Sequence, residues 1–414
     1  MSSIAIRTSS ISLTLLQLSI CYWRPKVDWK PSLGATFHSL TIRFLMLKSR
    51  HYGSGLRGSA MWRAALQNEP QRAELLFSNA SITGIVTTAG DRNVKFSEAA
   101  PQMGLSESDV ARLKRSIGLD QRQIVSGDET TSDLCENSAR VLMQGLGLSP
   151  ADVQGLIFVT QTPDYAAPAT AVSLQSRLGL PVTSMAFDVR FGCSGFVYGL
   201  GMAFSLVESG FHRVLLCVGD VASKLVDPTN HAVAPIMGDA GAAIMIERKP
   251  SKSHFQFYSD GTGARALIVP NSGIRKTPED EGMPPLMHMD GAAVFNFTLQ
   301  RVPSMINDIL ALGQKDASEI DYFVLHQPNR YIVKSIQKRL KVPDEKMPSD
   351  TQSRFGNQNS ASIPGTISGF LSSSYSSERL TSLFAGFGIG LSWAAALVET
   401  DCIFSPPTII GIRN

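Results

Sequence analysis

Cys193 has the sequence context of a catalytic nucleophile. It stands in FDVRFGCSGF, between a strand-like segment, Met185–Val189, and the stretch Ser194–Val207, which has no charged residue. A helix that is apolar on every side is buried within a large fold, so we expect Cys193 at the N-terminus of a buried helix. The unpaired N–H groups and the dipole there lower the pKa of a thiol and can bind an oxyanion. A structural buried cysteine is the alternative, and Cys217, within VLLCVGD, fits that alternative better.

Two polar residues in the C-terminal part of the chain are candidate partners of this thiol. His326 follows the apolar segment Tyr322–Leu325, and open α/β sheets build their sites at the C-terminal ends of strands. Asn357 lies in the turn RFGNQNSASIPG, and Phe384–Glu399 contains a Gly-rich turn where another backbone can approach closely. Each feature alone has a structural explanation, as a buried polar residue or a turn, and only their combination indicates an active site.

Short apolar segments alternate with amphipathic ones, which predicts an α/β fold whose sheets are mainly parallel. The strand-like segments include Ala80–Val86, Leu156–Thr160, Val214–Val218 and Ala242–Ile246, and the helical ones Glu107–Ser116 and Thr131–Gly145. Ser149–Val159 and Asp316–Leu325 share an acidic junction followed by a buried strand, about 167 residues apart. This internal similarity suggests two similar halves.

The composition narrows the class of protein. The chain has 414 residues, of which 43% are hydrophobic, and this excludes a disordered or collagen-like chain. Its formal charge of +3 arises near the start: residues 1–60 carry +7 and the remainder −4, so a basic surface for nucleic acid is not expected. The five cysteines are scattered, without a CxxC pair, which argues against disulfides or a zinc site and favours a reducing compartment such as the cytoplasm.

Residues 1–76 differ from the rest and are interpreted as a leader, expected to be poorly ordered. Their Ser-rich, acid-poor start is typical of an organelle transit peptide, which would place the protein in a stroma or matrix. A secretory signal is a further alternative, as is translated upstream sequence with initiation near Met61 or just before Phe77. The apolar run Ile11–Cys21 is too short to span a membrane.

Taken together, the motifs resemble the β-ketoacyl-acyl-carrier-protein synthase III family of thiolase-like condensing enzymes. The segments that carry the resemblance are FDVRFGCSGF, GDAGAA, LHQPN, FGNQNSASIP and GFGIGLSW, in family order between Phe77 and Thr400. The resemblance implies a five-layer αβαβα thiolase fold of two similar halves, residues 77–248 and 249–400, with a tail at 401–414. It also implies a homodimer and requires no metal or redox cofactor.

The resemblance also implies the reaction and its residues. Cys193 would take up an acyl primer from coenzyme A or a carrier protein, and His326 and Asn357 would promote decarboxylation of malonyl-acyl carrier protein. The resulting carbanion would attack the acyl group to give a 3-oxoacyl thioester for fatty acid or specialised lipid biosynthesis. The N–H groups of Cys193 and Ile389 would form the oxyanion hole, and Phe387 an aromatic lid over the malonyl carboxylate.

The sequence departs from the family where substrates are selected. The Trp and Arg that clamp the adenine of coenzyme A are absent, and Arg112 and His231 stand near their positions. Ala167 occupies the place of a Phe in the acyl pocket, which suggests a primer longer than acetyl. Four basic residues after His326 could dock an acidic carrier protein, although a solvated helix face would show the same pattern: Lys334, Lys338, Arg339 and Lys341.

Two other functions fit the same motifs. A relative with this triad could pass the acyl group of Cys193 to an alcohol or amine without decarboxylation. A catalytically silent subunit of a heterodimer is a different class of function, but the complete Cys193, His326 and Asn357 set argues against it. Hydrolase chemistry is disfavoured because GCSGF does not match GxSxG.

Overall fold

The computed structural model describes residues 72–412. Its strands are β1 Ala73–Phe77, β2 Ala80–Ala89, β3 Arg92–Lys95, β4 Gln121–Ile124, β5 Gly155–Val159, β6 Met185–Val189, β7 Arg213–Asp220, β8 Ala240–Arg248, β9 Ser253–Ser259, β10 Leu267–Ile268, β11 His288–Met289, β12 Tyr322–Leu325, β13 Arg379–Gly388, β14 Ser392–Asp401 and β15 Ile409–Ile410. Its α-helices are α1 Phe96–Ala99, α2 Glu107–Ile117, α3 Thr131–Gly145, α4 Thr170–Arg177, α5 Gly195–Glu208, α6 Gly291–Gly313, α7 Arg330–Leu340, α8 Thr351–Phe355, α9 Ser362–Thr366 and α10 Ser372–Ser377.

Two large sheets form the framework. The first has the order β15-β2-β8-β7-β5-β6 and the second the order β1-β9-β14-β13-β12. Three of the five strand pairs in the first sheet are parallel, as predicted. In the second sheet only β12 and β13 pair in parallel, so the expectation of a mainly parallel sheet is wrong there. The pair β13 and β14 is antiparallel because a short turn joins the two strands.

The predicted five-layer αβαβα arrangement is confirmed. Helices α3 and α4 cover the outer face of the first sheet, and α6 and α7 cover the outer face of the second. Helix α5 lies between the sheets and contacts strands of both. It can do so because it has no charged residue before its last position, Glu208. At Gly199 an added Cβ would lie 2.7 Å from Val159 and 2.8 Å from Leu216, so glycine permits the close packing of α5 on the first sheet.

The first and the last strand of the described chain each belong to a different sheet from the strand next to them in sequence. β1 pairs antiparallel with β9 of the second sheet, although its neighbour in sequence, β2, belongs to the first. Conversely, β15 pairs in parallel with β2 of the first sheet after β14 has completed the second. Strand β1 therefore begins before Phe77, the predicted boundary, and β15 lies within the predicted tail. Neither was visible in the pattern because both strands are short, and β1 is also mostly exposed.

The remaining sequence predictions can be located on this framework. Helix α3 has the predicted bounds, Thr131–Gly145, and the side chain of Thr130 caps it by accepting from the N–H of Asp133. The predicted leader falls outside the described residues as far as residue 71. Between residues 72 and 412 the helices are all too short or too polar to cross a membrane.

Substitutions in β15 test directly whether this strand packs on the first sheet. Ile409 is 4% exposed within the apolar layer below α3, whereas its neighbour Ile410 is 47% exposed. We expect Ile409→Ala to lower the free energy of unfolding by about 2–4 kcal/mol, because it removes buried contacts and leaves a cavity. Ile410→Ala, on the same strand, should change it by about 0.5 kcal/mol or less. Chemical denaturation measures both, and equal effects would show that β15 is not packed as described.

Candidate active site

A single cavity gathers Cys193, His326 and Asn357. It encloses about 530 Å³ of empty space, and its remaining lining is mostly apolar. The lining residues are Gln161, Cys193, Met237, Leu267, Met287, Met289, Val294, Thr298, His326, Pro328, Ile332, Asn357, Asn359, Phe387, Gly388 and Ile389. The two halves of the chain thus contribute to one site, the first through Cys193 and the second through His326 and Asn357.

Cys193 is held against the turn between β13 and β14. It lies two residues before Gly195, the first residue of α5, and so at the N-terminus of this helix, as predicted; it is 7% exposed. A Cβ added to Gly388 would lie 2.8 Å from the Cβ of Cys193 and 2.9 Å from its Sγ, so only glycine fits at this approach. Next to it, the hydroxyls of Ser194 and Ser392 are 2.6 Å apart and tie the start of α5 to β14.

The electrostatics of Cys193 differ from the sequence expectation. Burial and, to a lesser extent, the nearby Asp220 carboxylate raise the pKa of its thiol to about 12, although the N–H groups of Ile389 and Cys193 act to lower it. The expected lowering by the helix N-terminus is therefore wrong for the free protein, because desolvation outweighs it. Cys193 rests as a neutral thiol. The two N–H groups predicted to form an oxyanion hole nevertheless both point at its sulfur.

Asp220 is the buried acid behind the nucleophile. It ends β7, and its carboxylate accepts from the N–H of Gln161 at 2.7 Å and from the hydroxyl of Ser360 at 3.2 Å. Burial raises its pKa to about 6 in spite of these donors. Asp220 thereby links the loop after β5, which carries Gln161 into the cavity, to the loop that carries Asn357.

His326 follows β12, and its N–H donates to the carbonyl of Ala385 on β13, which extends the parallel pairing by one residue. The side chain is 2% exposed, and burial lowers its pKa to about 3. The imidazole is therefore neutral at physiological pH. Its Nδ1 lies 3.2 Å from the hydroxyl of Ser362, and the nearby backbone carbonyl of Asn359 opposes the lowering of its pKa.

Asn357 is fixed by contacts with the first half of the chain. Its N–H donates to the carbonyl of Ile236, and its carbonyl accepts from the N–H of Gly238, so residues 236–238 and 357 form a short bridge. The side-chain Oδ1 accepts from the N–H of Asn359 at 3.0 Å. That bond occupies the oxygen and leaves Nδ2 of Asn357 available as a hydrogen-bond donor.

Phe387 lies where an aromatic lid was predicted. Its ring is 2% exposed, lines the cavity and meets the imidazole of His326 edge to face, with ring centroids 5.4 Å apart. Ile389 also lines the cavity, two residues further along the chain.

Other predicted residues lie away from this cavity. Ala167 is exposed on the loop between β5 and α4 and does not line this cavity. Arg112 is exposed on α2 and pairs with Asp109 at 2.8 Å, and His231 is exposed on the connection between β7 and β8. Neither contributes to the cavity.

The four predicted docking residues lie on or just after α7, but they are not equivalent. Lys334 pairs with Asp344 at 3.0 Å, and the guanidinium of Arg339 donates to the carbonyl of Leu299. Lys338 and Lys341 are exposed, and within residues 72–412 neither forms an ion pair. Lys334, Lys338 and Lys341 border a surface groove that also includes Asp344.

Sequence reasoning missed three residues of the site: Gln161, Asp220 and Asn359. Asn359 lay within the quoted motif FGNQNSASIP, but its residue type indicates only a turn. Asp220 ends an apolar strand, and a charged residue at that place was a signal that could have been used. Gln161 has no distinguishing pattern.

The chain is similar to known proteins over most of its described length. Residues 187–264 match the family profile described as 3-oxoacyl-[acyl-carrier-protein] synthase III, and residues 310–400 match the profile of its C-terminal part. A putative 3-oxoacyl-[acyl-carrier-protein] synthase 3 of Campylobacter jejuni is 31% identical over 353 residues, covering 82% of this chain and 99% of that protein. A β-ketoacyl-[acyl-carrier-protein] synthase III of Synechocystis is 30% identical over 335 residues, with 78% and 99% coverage.

A solved structure supports the same relationship. The crystal structure of a 3-oxoacyl-(acyl-carrier protein) synthase from Burkholderia xenovorans superimposes with a TM-score of 0.79 and 34% sequence identity. The superposition covers 82% of this chain and 99% of that one. The similarity thus extends through both halves and both large sheets.

Proposed function

Because the chain belongs to the 3-oxoacyl-[acyl-carrier-protein] synthase III family, we propose that it condenses an acyl thioester with a malonyl thioester and releases carbon dioxide. The observation that carries this proposal is the shared cavity of Cys193, His326 and Asn357, with two N–H groups directed at the nucleophile. The malonyl group would be carried by an acyl carrier protein and the primer by coenzyme A or a carrier protein.

In the first step Sγ of Cys193 attacks the carbonyl carbon of the primer thioester. A neutral thiol with a pKa near 12 and a neutral imidazole with a pKa near 3 cannot exchange a proton beforehand. The proton therefore leaves sulfur only as the S–C bond forms, and it ends on the departing thiolate. The N–H groups of Cys193 and Ile389 donate to the oxyanion of the tetrahedral intermediate.

In the second step the malonyl thioester occupies the position of the departed thiol. Its carbonyl oxygen accepts hydrogen bonds from His326 and from Nδ2 of Asn357, and these stabilise the enolate formed as carbon dioxide leaves. The apolar ring of Phe387 favours loss of the charged carboxylate. The enolate carbon attacks the acyl carbonyl, the C–S bond to Cys193 breaks, and the released thiolate takes a proton from solvent.

Variants of the triad separate the two steps. We expect Cys193→Ala to form no acyl-enzyme and no 3-oxo product, yet still to release carbon dioxide from malonyl thioester, because His326 and Asn357 remain. His326→Ala and Asn357→Ala should slow that decarboxylation about 100-fold each, as loss of a donor to a developing oxyanion does. Intact-protein mass spectrometry and carbon dioxide release measure the two steps.

Two controls accompany this experiment: substitution of a distant cysteine and variation of the pH. Cys402→Ala, at an exposed position, should leave both steps unchanged. Because the pKa of His326 is lowered to about 3, decarboxylation should not fall through a transition near pH 6.5. Condensation by Cys193→Ala, or a loss of decarboxylation with a midpoint near pH 6.5, would contradict the assignment.

We further propose a homodimer joined at the edge strand β6. Within the described residues β6 is paired on one side only, by β5, and Met185 on this strand is 47% exposed. Tyr165 and Val172, on the adjoining loop and on α4, are 67% and 49% exposed. An unpaired edge beside exposed apolar side chains is suited to pairing with a second copy. Ala167 shares this exposed loop, so any part it plays in an acyl pocket would be in the partner's cavity.

Introducing charged side chains beside β6 tests the proposed dimer contact. Val172→Asp combined with Met185→Asp should convert a dimer to a monomer in sedimentation equilibrium, because it places carboxylates in an apolar contact. Ile274→Asp, at a fully exposed position in the other half, should leave the dimer intact. A monomeric wild-type protein at micromolar concentration would overturn the proposal.

The carrier protein would dock on the groove beside α7. Lys338 and Lys341 support this assignment because they are the exposed cations there without an ion pair in the described chain, whereas Lys334 is neutralised by Asp344. Complementary charge accelerates association and fixes orientation.

Charge reversal tests this docking surface. Lys338→Glu with Lys341→Glu should raise KM for the malonyl carrier protein about fivefold to tenfold, with kcat little changed and a smaller effect at high salt. Lys252→Glu, on the connection between β8 and β9, is the matched control. Unchanged KM in the double variant would remove this surface from the account.

The proposal also covers the primer donor and the cellular compartment. Arg112 and His231 stand near the positions where the family has the Trp and Arg of its adenine clamp, which supports a primer donor that needs no such clamp. The free thiols Cys135, Cys193, Cys217 and Cys402 support a reducing compartment such as the cytoplasm.

A further inference from the structure

Asn359 contacts all three residues used in the proposed reaction. Its side-chain Oδ1 accepts from the thiol of Cys193, with 3.6 Å between oxygen and sulfur. Its N–H donates to Oδ1 of Asn357, and its backbone carbonyl lies beside the imidazole of His326. Asn359 is 7% exposed and lines the cavity.

The backbone contacts of Asn359 depend on an uncommon conformation. Its φ is +47°, in the left-handed region that asparagine, aspartate and glycine tolerate better than other residues. This conformation lets the N–H of Asn359 face Asn357 while the side chain reaches Cys193. Glycine at position 359 could make the same backbone contacts. Substitution by glycine therefore removes only the side-chain contact with sulfur.

The side chain of Asn359 contacts a sulfur whose charge changes during the proposed reaction. At rest Cys193 is a thiol, and its S–H needs an acceptor. When the new C–C bond forms, Cys193 departs as a thiolate, which needs a donor. An amide supplies both, since Oδ1 accepts and Nδ2 donates. Within the described residues Nδ2 of Asn359 has no hydrogen-bond partner, so a half-turn of the amide breaks only the contact with sulfur.

We propose that Asn359 is a fourth catalytic residue, which accepts from the Cys193 thiol through Oδ1 and donates to the sulfur through Nδ2 when it carries negative charge. The inference rests on the proposed function for its part in turnover, but the contact with sulfur does not require it. It assigns the side chain to the chemistry of the nucleophile and the backbone to the orientation of His326 and Asn357.

Two substitutions that tolerate the left-handed conformation test this assignment. Asn359→Asp places a carboxylate beside the sulfur, which opposes the thiolate. Alkylation of Cys193 by iodoacetamide at pH 8 should therefore fall about tenfold, and its pH dependence should move up by about one unit. The exposed Cys402 is the internal standard, and its alkylation should not change.

Asn359→Gly removes the side chain and keeps the backbone contacts. It should slow acylation of Cys193 by an acyl thioester about tenfold, as loss of one hydrogen bond to a charged group does. Release of carbon dioxide from malonyl thioester, which depends on His326 and Asn357, should stay within about twofold of the wild type. The split between the two steps is a result that a merely structural role would not give.

The outcomes are distinguishable from failure of the proposed function. Unchanged alkylation of Cys193 in Asn359→Asp, or an equal loss of acylation and decarboxylation in Asn359→Gly, would overturn the inference. If the wild-type protein condenses no thioester, the proposed function fails. A tenfold fall in alkylation of Asn359→Asp would in that case still support the contact between Asn359 and the sulfur.

Discussion

The close approach of Gly388 to Cys193 is the contact on which the site depends. The nucleophile comes from the first half of the chain, at the start of the central helix, and the turn after β13 comes from the second half. With 2.8 Å between the Cβ of Cys193 and the place where a Cβ of residue 388 would be, the two segments meet without a side chain between them. Phe387 and Ile389 flank Gly388, so one backbone approach brings both the proposed lid and the proposed oxyanion donor to the cavity that Cys193 lines.

Burial sets the electrostatic state of the site. It raises the pKa of Cys193 and lowers that of His326, and both groups are therefore neutral at rest. A neutral imidazole retains only one N–H. In the proposed decarboxylation Asn357 would therefore supply the second donor to the carbonyl oxygen of the malonyl thioester. The apolar lining that makes charge separation unfavourable also strengthens each hydrogen bond to the enolate.

Much of this architecture was predictable from sequence, because apolar periodicity and a set of motifs report directly on buried strands and on the residues beside them. Helix α3 and strand β12 have the predicted bounds for that reason. β1 and β15 were not predictable: each is short, and its partner strand lies far away in the sequence. The pKa of Cys193 was predicted in the wrong direction, since the helix dipole is visible in sequence and the depth of burial is not.

The residues of the site were likewise predictable from local motifs, but their arrangement in space was not. The motifs located Cys193, His326 and Asn357 singly, but their convergence on one cavity depends on the packing of two sheets around α5. Ala167 was assigned by alignment alone, and its exposed loop shows that the sequence position does not determine the cavity it serves.

The central claim is that this cavity joins two acyl groups with loss of carbon dioxide, and isotope labelling tests it most directly. The protein would be supplied with a primer thioester labelled at its carbonyl carbon and a malonyl carrier protein labelled at its free carboxyl group. The account predicts one labelled carbon dioxide for each product and the primer label at carbon 3 of a 3-oxoacyl thioester. An ester or amide of the primer, formed while the malonyl thioester remains intact, would contradict it.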